Sequence, residues 1–201
     1  MKNQTTEIVF VLDRSGSMEG LEADTIGGFN STIKAQKMME GEAFVTTVLF
    51  DDKIETLNDR ISLDKIEPMT QKQYFVRGCT ALLDAVGQTI THIKGIHKYA
   101  REEDVPEKTI FIITTDGMEN ASREYSYSKV KELISEQTKK GWEFIFLGAN
   151  IDVGATADDL GISRAKARKF KATSDGVEKS FKMMGEAIKS ARMRKSIDLD
   201  S

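Results

Sequence analysis

The chain has 201 residues, 39% hydrophobic and 30% charged, with a formal net charge of −3. That is room for one domain with a substantial core, at the composition of a water-exposed globular protein. No apolar run approaches the roughly 18 residues of a membrane helix, no basic-then-apolar leader opens the chain, and a single cysteine, Cys79, excludes an intrachain disulfide framework, so the expected compartment is the cytoplasm.

In chain order, Glu7–Leu12 is a near-continuous apolar run, as a central parallel strand should be. It ends abruptly in Asp13-Arg14-Ser15-Gly16-Ser17. A helix is predicted over Leu21–Met39, with Ile26, Phe29 and Ile33 on one stripe and Gly41 as its stop. Ala43–Phe50 is a β-branched and aromatic strand, followed by a short antiparallel partner at Lys53–Leu57 whose charges suit a sheet edge. Residues 58–80 read as a long irregular loop, a length that is often functional. Ala81–Arg101 is a strong helix; His97 continues its apolar stripe and His92 faces solvent.

Lys108–Thr115 is the second strong buried strand, and it too ends in an acid, Asp116, followed by Gly117. Ser126 or Ser128 caps a helix to Lys140, Trp142–Ala149 is the next strand, and Asn150 and Asp152 turn into a short helix at 155–160. Lys166–Ala172 is expected as a last strand. Ser174 or Asp175 then caps a final helix bearing Val177, Phe181, Met184 and Ile188, and 196–201 is expected to fray. The alternation implies an α/β fold, one domain over 1–201 with its core in about 6–190, and a mostly parallel sheet covered on both faces.

Charge is uneven. Residues 1–160 hold eighteen Lys and Arg against twenty-seven acids, whereas 161–195 hold eleven against three. A basic face can meet nucleic acid, but without interleaved aromatics a solvated helix face is preferred, and neither nucleic acid nor membrane is expected as a partner.

Two buried strands ending in Asp13 and Asp116, with Arg77-Gly78-Cys79-Thr80 at the mouth of the helix between them, would converge on one crevice if the strands are neighbours where strand order reverses. Carboxylates and hydroxyls are hard donors, suited to Mg²⁺, Mn²⁺ or Ca²⁺ rather than zinc. Taken singly, Asp13, Asp116, Ser15, Ser17 and Thr80 also read as caps and turns; jointly they form a motif. Cys79 reads as a small buried residue, Asp84 as surface, the nine methionines as mostly core, and Glu119 and Asn120 as residues that line or gate the site.

Asp13-x-Ser15-x-Ser17, then Thr80, then Asp116-Gly117, in that order, resembles the metal-ion-dependent adhesion site of von Willebrand factor type A domains, over about residues 6 to 190. The resemblance implies a three-layer, Rossmann-like doubly wound sheet of six strands, order 3-2-1-4-5-6, with an antiparallel edge strand. It implies Mg²⁺ or a similar divalent ion, with Ser15, Ser17 and Thr80 bound directly and Asp13 and Asp116 acting mostly through water. It further implies a protein partner that supplies a Glu or Asp carboxylate, and the chain looks most like stand-alone bacterial members. Arg14 and Met18 then become candidates for the rim. The competing reading is a Mg²⁺-dependent phosphohydrolase with Asp13 as nucleophile; its usual second acid, two residues on, is here Ser15.

Overall fold

The computed structural model describes residues 4–197 and 199. Six strands form one sheet: β1 (Thr6–Asp13), β2 (Ala43–Phe50), β3 (Ile54–Ser62), β4 (Lys108–Thr115), β5 (Glu143–Gly148) and β6 (Ala167–Lys169). Their order is β3-β2-β1-β4-β5-β6. Only β3 runs antiparallel, against β2; the other pairs are parallel. Five helices cover the sheet: α1 (Glu22–Lys37), α2 (Leu82–Tyr99), α3 (Tyr127–Lys139), α4 (Val153–Leu160) and α5 (Ser174–Arg192). None of the helices among the described residues is long and apolar enough to cross a membrane.

Successive side chains of a strand face opposite ways, and β1 shows what this means for a strand buried on both sides. Ile8, Phe10 and Leu12 pack with Phe29 and Ile33 of α1 and with Phe181, Met184 and Ile188 of α5. Val9 and Val11 pack with Val86 and Ile90 of α2, Val130 and Ile134 of α3, and Leu160 of α4. β1 is therefore apolar on both faces, the origin of the unbroken hydrophobic run. Near its start Glu7 is fully buried and held by Arg60 Nε at 2.6 Å and His97 Nε2 at 2.5 Å.

The chain departs from the expected elements in places. β3 extends to Ser62 rather than stopping at Leu57. Its pairing with β2 is bulged between Val45 and Val48, and Arg60 has φ 49°, which breaks the alternation that marks a strand in sequence. The following segment is irregular, yet Leu63, Ile66, Met69 and Tyr74 are buried in the core, so it is pinned rather than loose. β6 has three residues, not seven; 164–166 form a 3₁₀ turn before it. Thr173, not Ser174 or Asp175, caps α5, its Oγ1 accepting from the Gly176 N–H at 3.2 Å. Part of the tail expected to fray lies against the core, with Leu199 buried and Ile197 packed beside it, while 198, 200 and 201 lie outside the described residues.

Candidate metal centre

β1 lies between β2 and β4, so strand order reverses beside it. The loops leaving the carboxyl ends of β1 and β4 separate there and open a crevice. Asp13 is the last residue of β1, and Asp116 directly follows β4. Both are 1% exposed.

Each acid is held differently. Asp13 Oδ1 accepts the Ser15 N–H at 2.7 Å, and its Oδ2 accepts the Thr115 hydroxyl at 2.6 Å. Both oxygens thus have a protein donor. Asp116 Oδ1 accepts from the Ser17 hydroxyl, whereas its Oδ2 is buried and has no partner. A buried carboxylate oxygen left unpaired carries a substantial desolvation cost, and a cation is the group that would relieve it. Ser15 and Ser17 place their hydroxyl oxygens 3.1 Å apart.

Thr80 reaches the same place from the loop that precedes α2. Its N–H donates to Asn120 Oδ1 at 2.9 Å, its carbonyl accepts from the N–H groups of Asn120 and Ala121, and the next N–H, of Ala81, donates to the Asp51 carbonyl at 2.8 Å. A Cβ built on Gly117 would stand 3.1 Å from Thr80 Oγ1 and 3.2 Å from Ser17 Oγ. Gly117 therefore keeps a space open between the two hydroxyls. Two carboxylates, three hydroxyls and no nitrogen or sulfur converge there, a donor set that fits a hard divalent ion. Among the described residues no cluster of three or more His, Cys, Asp or Glu could hold a metal.

Burial pushes the Asp13 carboxyl up to about 6, against the hydrogen bonds from Ser15 and Thr115, with the neighbouring Asp116 adding to the rise. Burial likewise raises Asp116, opposed by the Ser17 hydroxyl. Two desolvated acids side by side resist ionising together until positive charge is supplied.

A second network knits the loops to one another. Arg14 is not a rim residue: it is fully buried, with Nε 2.9 Å from Asp51 Oδ2. Its Nη2 lies 2.8 Å from Glu55 without the alignment of a hydrogen bond. Arg77 Nε reaches the same Asp51 oxygen at 2.8 Å. Burial opposes the charge on Asp51, but hydrogen bonds from Arg77, the Lys53 N–H and Arg14 outweigh it and hold the carboxyl below its usual range. The buried Tyr74 hydroxyl donates to the Asp13 carbonyl at 2.6 Å. Met18 is also buried, in the core.

Other expectations change here. Cys79 is exposed, not buried. Several methionines lie outside the core: Met38 and Met118 are 83% and 74% exposed. Asp84, in the first turn of α2, is buried and accepts the N–H groups of Arg123, Glu124 and Tyr125 at 2.8–2.9 Å. Glu119 is tied to its own loop and to α2: its carboxylate accepts the N–H groups of Leu83, Ala121 and Ser122. Asp84 and Glu119 are the supports that fix the loop against which Thr80 is held. Asp84 reaches N–H groups 39 to 41 residues away, and Glu119 reaches Leu83 36 residues away; no local pattern marks such pairings. Asn150 and Asp152 form the turn into α4, with Asp152 Oδ1 accepting from Ala155.

No family model matches the sequence, and no curated protein matches it significantly. Solved structures do match in shape. Manganese-loaded TRAP protein of Plasmodium vivax superposes with a TM-score of 0.62 at 16% identity, over 89% of this chain and 72% of that one. Proximal thread matrix protein 1 from the mussel byssus, solved with a zinc-occupied MIDAS motif, gives 0.57 at 17%, over 90% of this chain and 44% of that one. The ArnB paralog VWA2 from Sulfolobus acidocaldarius gives 0.54 at 20%, over 98% and 46%. This chain thus spans less than half the length of the mussel and archaeal proteins. The shared architecture is the von Willebrand factor type A fold.

Proposed function

We propose that this domain is a divalent-metal-dependent protein-binding module that recognises an acidic side chain of a partner. The observation that carries the reading is Asp116 Oδ2, buried and without a partner, beside a gap that Gly117 keeps open between the hydroxyls of Ser17 and Thr80. Ser15, Ser17 and Thr80 would hold the ion through neutral oxygens. Asp13, with both oxygens already engaged by Ser15 and Thr115, would act through bridging water. A shell rich in neutral donors leaves the ion its electrophilic character, and an outside carboxylate is the ligand that answers it. Mg²⁺ suits such a partly protein-made shell because it keeps several waters; the manganese- and zinc-bearing structures of this fold support a divalent ion of this kind.

Binding is placed ahead of phosphoryl transfer for a chemical reason. An aspartyl nucleophile at Asp13 needs a free oxygen and a nearby acid–base partner. Here both Asp13 oxygens accept short hydrogen bonds, and the position two residues on is Ser15.

The test is capture of a partner from native lysate on immobilised protein, with Mg²⁺ and with chelator, using wild type and Asp13→Ala. Capture that needs both the cation and Asp13 is the expected result. A partner retained equally in all arms would sink the reading.

A further inference from the structure

The helix pair that closes one face of the sheet has an outer side open to solvent. α1 and α5 lie side by side and run the same way. Thr32 Oγ1 donates to the Phe181 carbonyl at 3.3 Å, and one turn on Gln36 Nε2 donates to the Gly185 carbonyl at 3.0 Å. Both bonds span 149 residues, so each position on α1 is level with the α5 position 149 further along. Between the helices runs a concavity of about 670 Å³ that shares no residue with the metal loops.

The α5 wall of that concavity carries charges of alternating sign. Glu178, Lys182, Glu186 and Lys189 fall three or four residues apart, hence on one helix face, and all are exposed. Neither Glu178 nor Lys182 makes an ion pair among the described residues, and Lys189 stands off from Glu186 at 3.6 Å. The stripe has a symmetry of its own. Turned end for end it reads Lys, Glu, Lys, Glu at nearly the same intervals. An antiparallel copy therefore sets Lys189 of the partner subunit opposite Glu178, and Glu186 of the partner subunit opposite Lys182. The two-fold axis that does this crosses α5 at the level of Met184, and the 149-residue offset puts Ala35 of α1 on the same axis. Exposed Ser31 precedes Ala35 by one turn, and Met38, 83% exposed, follows it by nearly one. Reversal about Ala35 carries the long Met38 of one copy onto the short Ser31 of the other, a projection onto a hollow. Charge on α5 and shape on α1 thus agree on one axis. Lys34 sits beside that axis with its like across it, and its flexible stem lets the ammonium reach water at the rim.

We propose that the outer face of α1 and α5 is an interface between two copies of this chain, packed antiparallel about a two-fold axis. In such an isologous contact each ion pair occurs twice. Surface ion pairs fix register and exclude wrong partners more than they add affinity; the attraction comes from taking Met38 and the walls of the concavity out of water. A nucleic acid or a partner of uniform charge would meet repulsion at alternate positions of the stripe, whereas a second copy carries the reversed pattern by construction. α1 joins the parallel strands β1 and β2 and so runs against them. Antiparallel helices then turn the crevices at the strand ends toward opposite ends of the dimer, where each is free to take its own partner.

Sedimentation velocity on the full chain, at up to about 100 µM and low ionic strength, is the test. The wild type should form dimers. Lys182→Glu and Glu186→Lys each set like charges opposite one another twice, and each should weaken association about tenfold or more. Mixed in equal amounts, the two variants should recover wild-type association, because each supplies the charge the other now lacks. The chain carrying both changes should recover it too. Both side chains are exposed, and a fault confined to one helix is not repaired by mixing. Met38→Asp should weaken association as well. A wild type that stays monomeric over that range, single variants that associate as the wild type does, variants that do not recover on mixing, or association untouched by Met38→Asp would overturn the proposal.

Discussion

Asp13 shows how a single buried side chain is committed before any ion arrives. Its two oxygens accept from Ser15 and Thr115, its carbonyl accepts from Tyr74, and the next residue, Arg14, turns away from the crevice into a buried pair with Asp51. Asp51 is the tie between the two halves of the site. Its carboxylate takes both Arg14 and Arg77, and its carbonyl takes the N–H that follows Thr80. Replacing Asp51 by Ala strands the Arg14 guanidinium in the interior, and loss of one partner of a buried pair costs about 3–5 kcal/mol. Urea unfolding should show that loss for Asp51→Ala and a clearly smaller one for Arg77→Ala, because the Arg77 side chain is 40% exposed. Equal losses would contradict the central place given to Asp51. The five residues proposed to hold the metal stand out in sequence because oxygen chemistry, strand ends and order coincide at Asp13, Ser15, Ser17, Thr80 and Asp116. Arg14 is not legible: a charged residue between two ligands reads as exposed, and nothing local reveals an acid 37 positions away that buries it. Asp84 is hidden for the same reason.

At the scale of elements, the pairing of α1 with α5 closes one face of the sheet through close approach rather than through apolar stripes alone. Thr32 Oγ1 donates to the Phe181 carbonyl and Gln36 Nε2 to the Gly185 carbonyl. Arg192 donates to the Gln36 and Gly41 carbonyls at 2.6 and 2.7 Å, satisfying the frayed end of α1. Gly28 permits this approach: a Cβ there would stand 2.3 Å from Phe181 Cδ2 and 2.5 Å from its Cγ. Gly28→Ala should therefore destabilise by about 1–3 kcal/mol, although Ala is the better helix former in isolation. Chemical denaturation checks the sign, and a more stable variant would contradict the packing described. Helix positions were readable from their periodic stripes and stops. The length of β3 was not, because a bulge and a left-handed Arg60 interrupt its alternation. β6 is shorter than the sequence suggests because basic and apolar residues alternate past the three that pair with β5.

Across the whole molecule, the basic last third meets the acidic remainder. Lys166 pairs with Glu143, Arg164 with Asp158 at 2.5 Å, and Arg194 with Glu107 at 2.7 Å. Three of its eleven basic residues are thus paired with acids of the remainder. At the candidate metal centre the fold couples to pH through Asp13. Burial holds Asp13 at about 6, above the roughly 3.9 of an unfolded chain. The folded metal-free protein thus binds a proton that the unfolded chain releases between those values. The stability Asp13 contributes is full below about pH 4 and is lost as pH rises through about 6. A cation needs the carboxylate, so its stabilisation should grow over that same range. At a hundred times its dissociation constant an ion adds about 2.7 kcal/mol. For a domain of this size that raises Tm by about 5–10 °C. Thermal scans with and without Mg²⁺ should show that rise at pH 7.5 and little of it at pH 5; a rise independent of pH would place the ion elsewhere.

The most direct measurement is water-proton relaxation of Mn²⁺ titrated into the wild type and into Ser15→Ala/Ser17→Ala, followed by addition of a peptide containing glutamate or its glutamine counterpart. The account predicts one saturable Mn²⁺ site with exchanging waters, lost in the double variant, whose relaxation enhancement falls when the glutamate peptide, but not the glutamine one, takes a coordination position. Mn²⁺ bound equally by the double variant, or an enhancement unmoved by the glutamate peptide at saturating concentration, would contradict it.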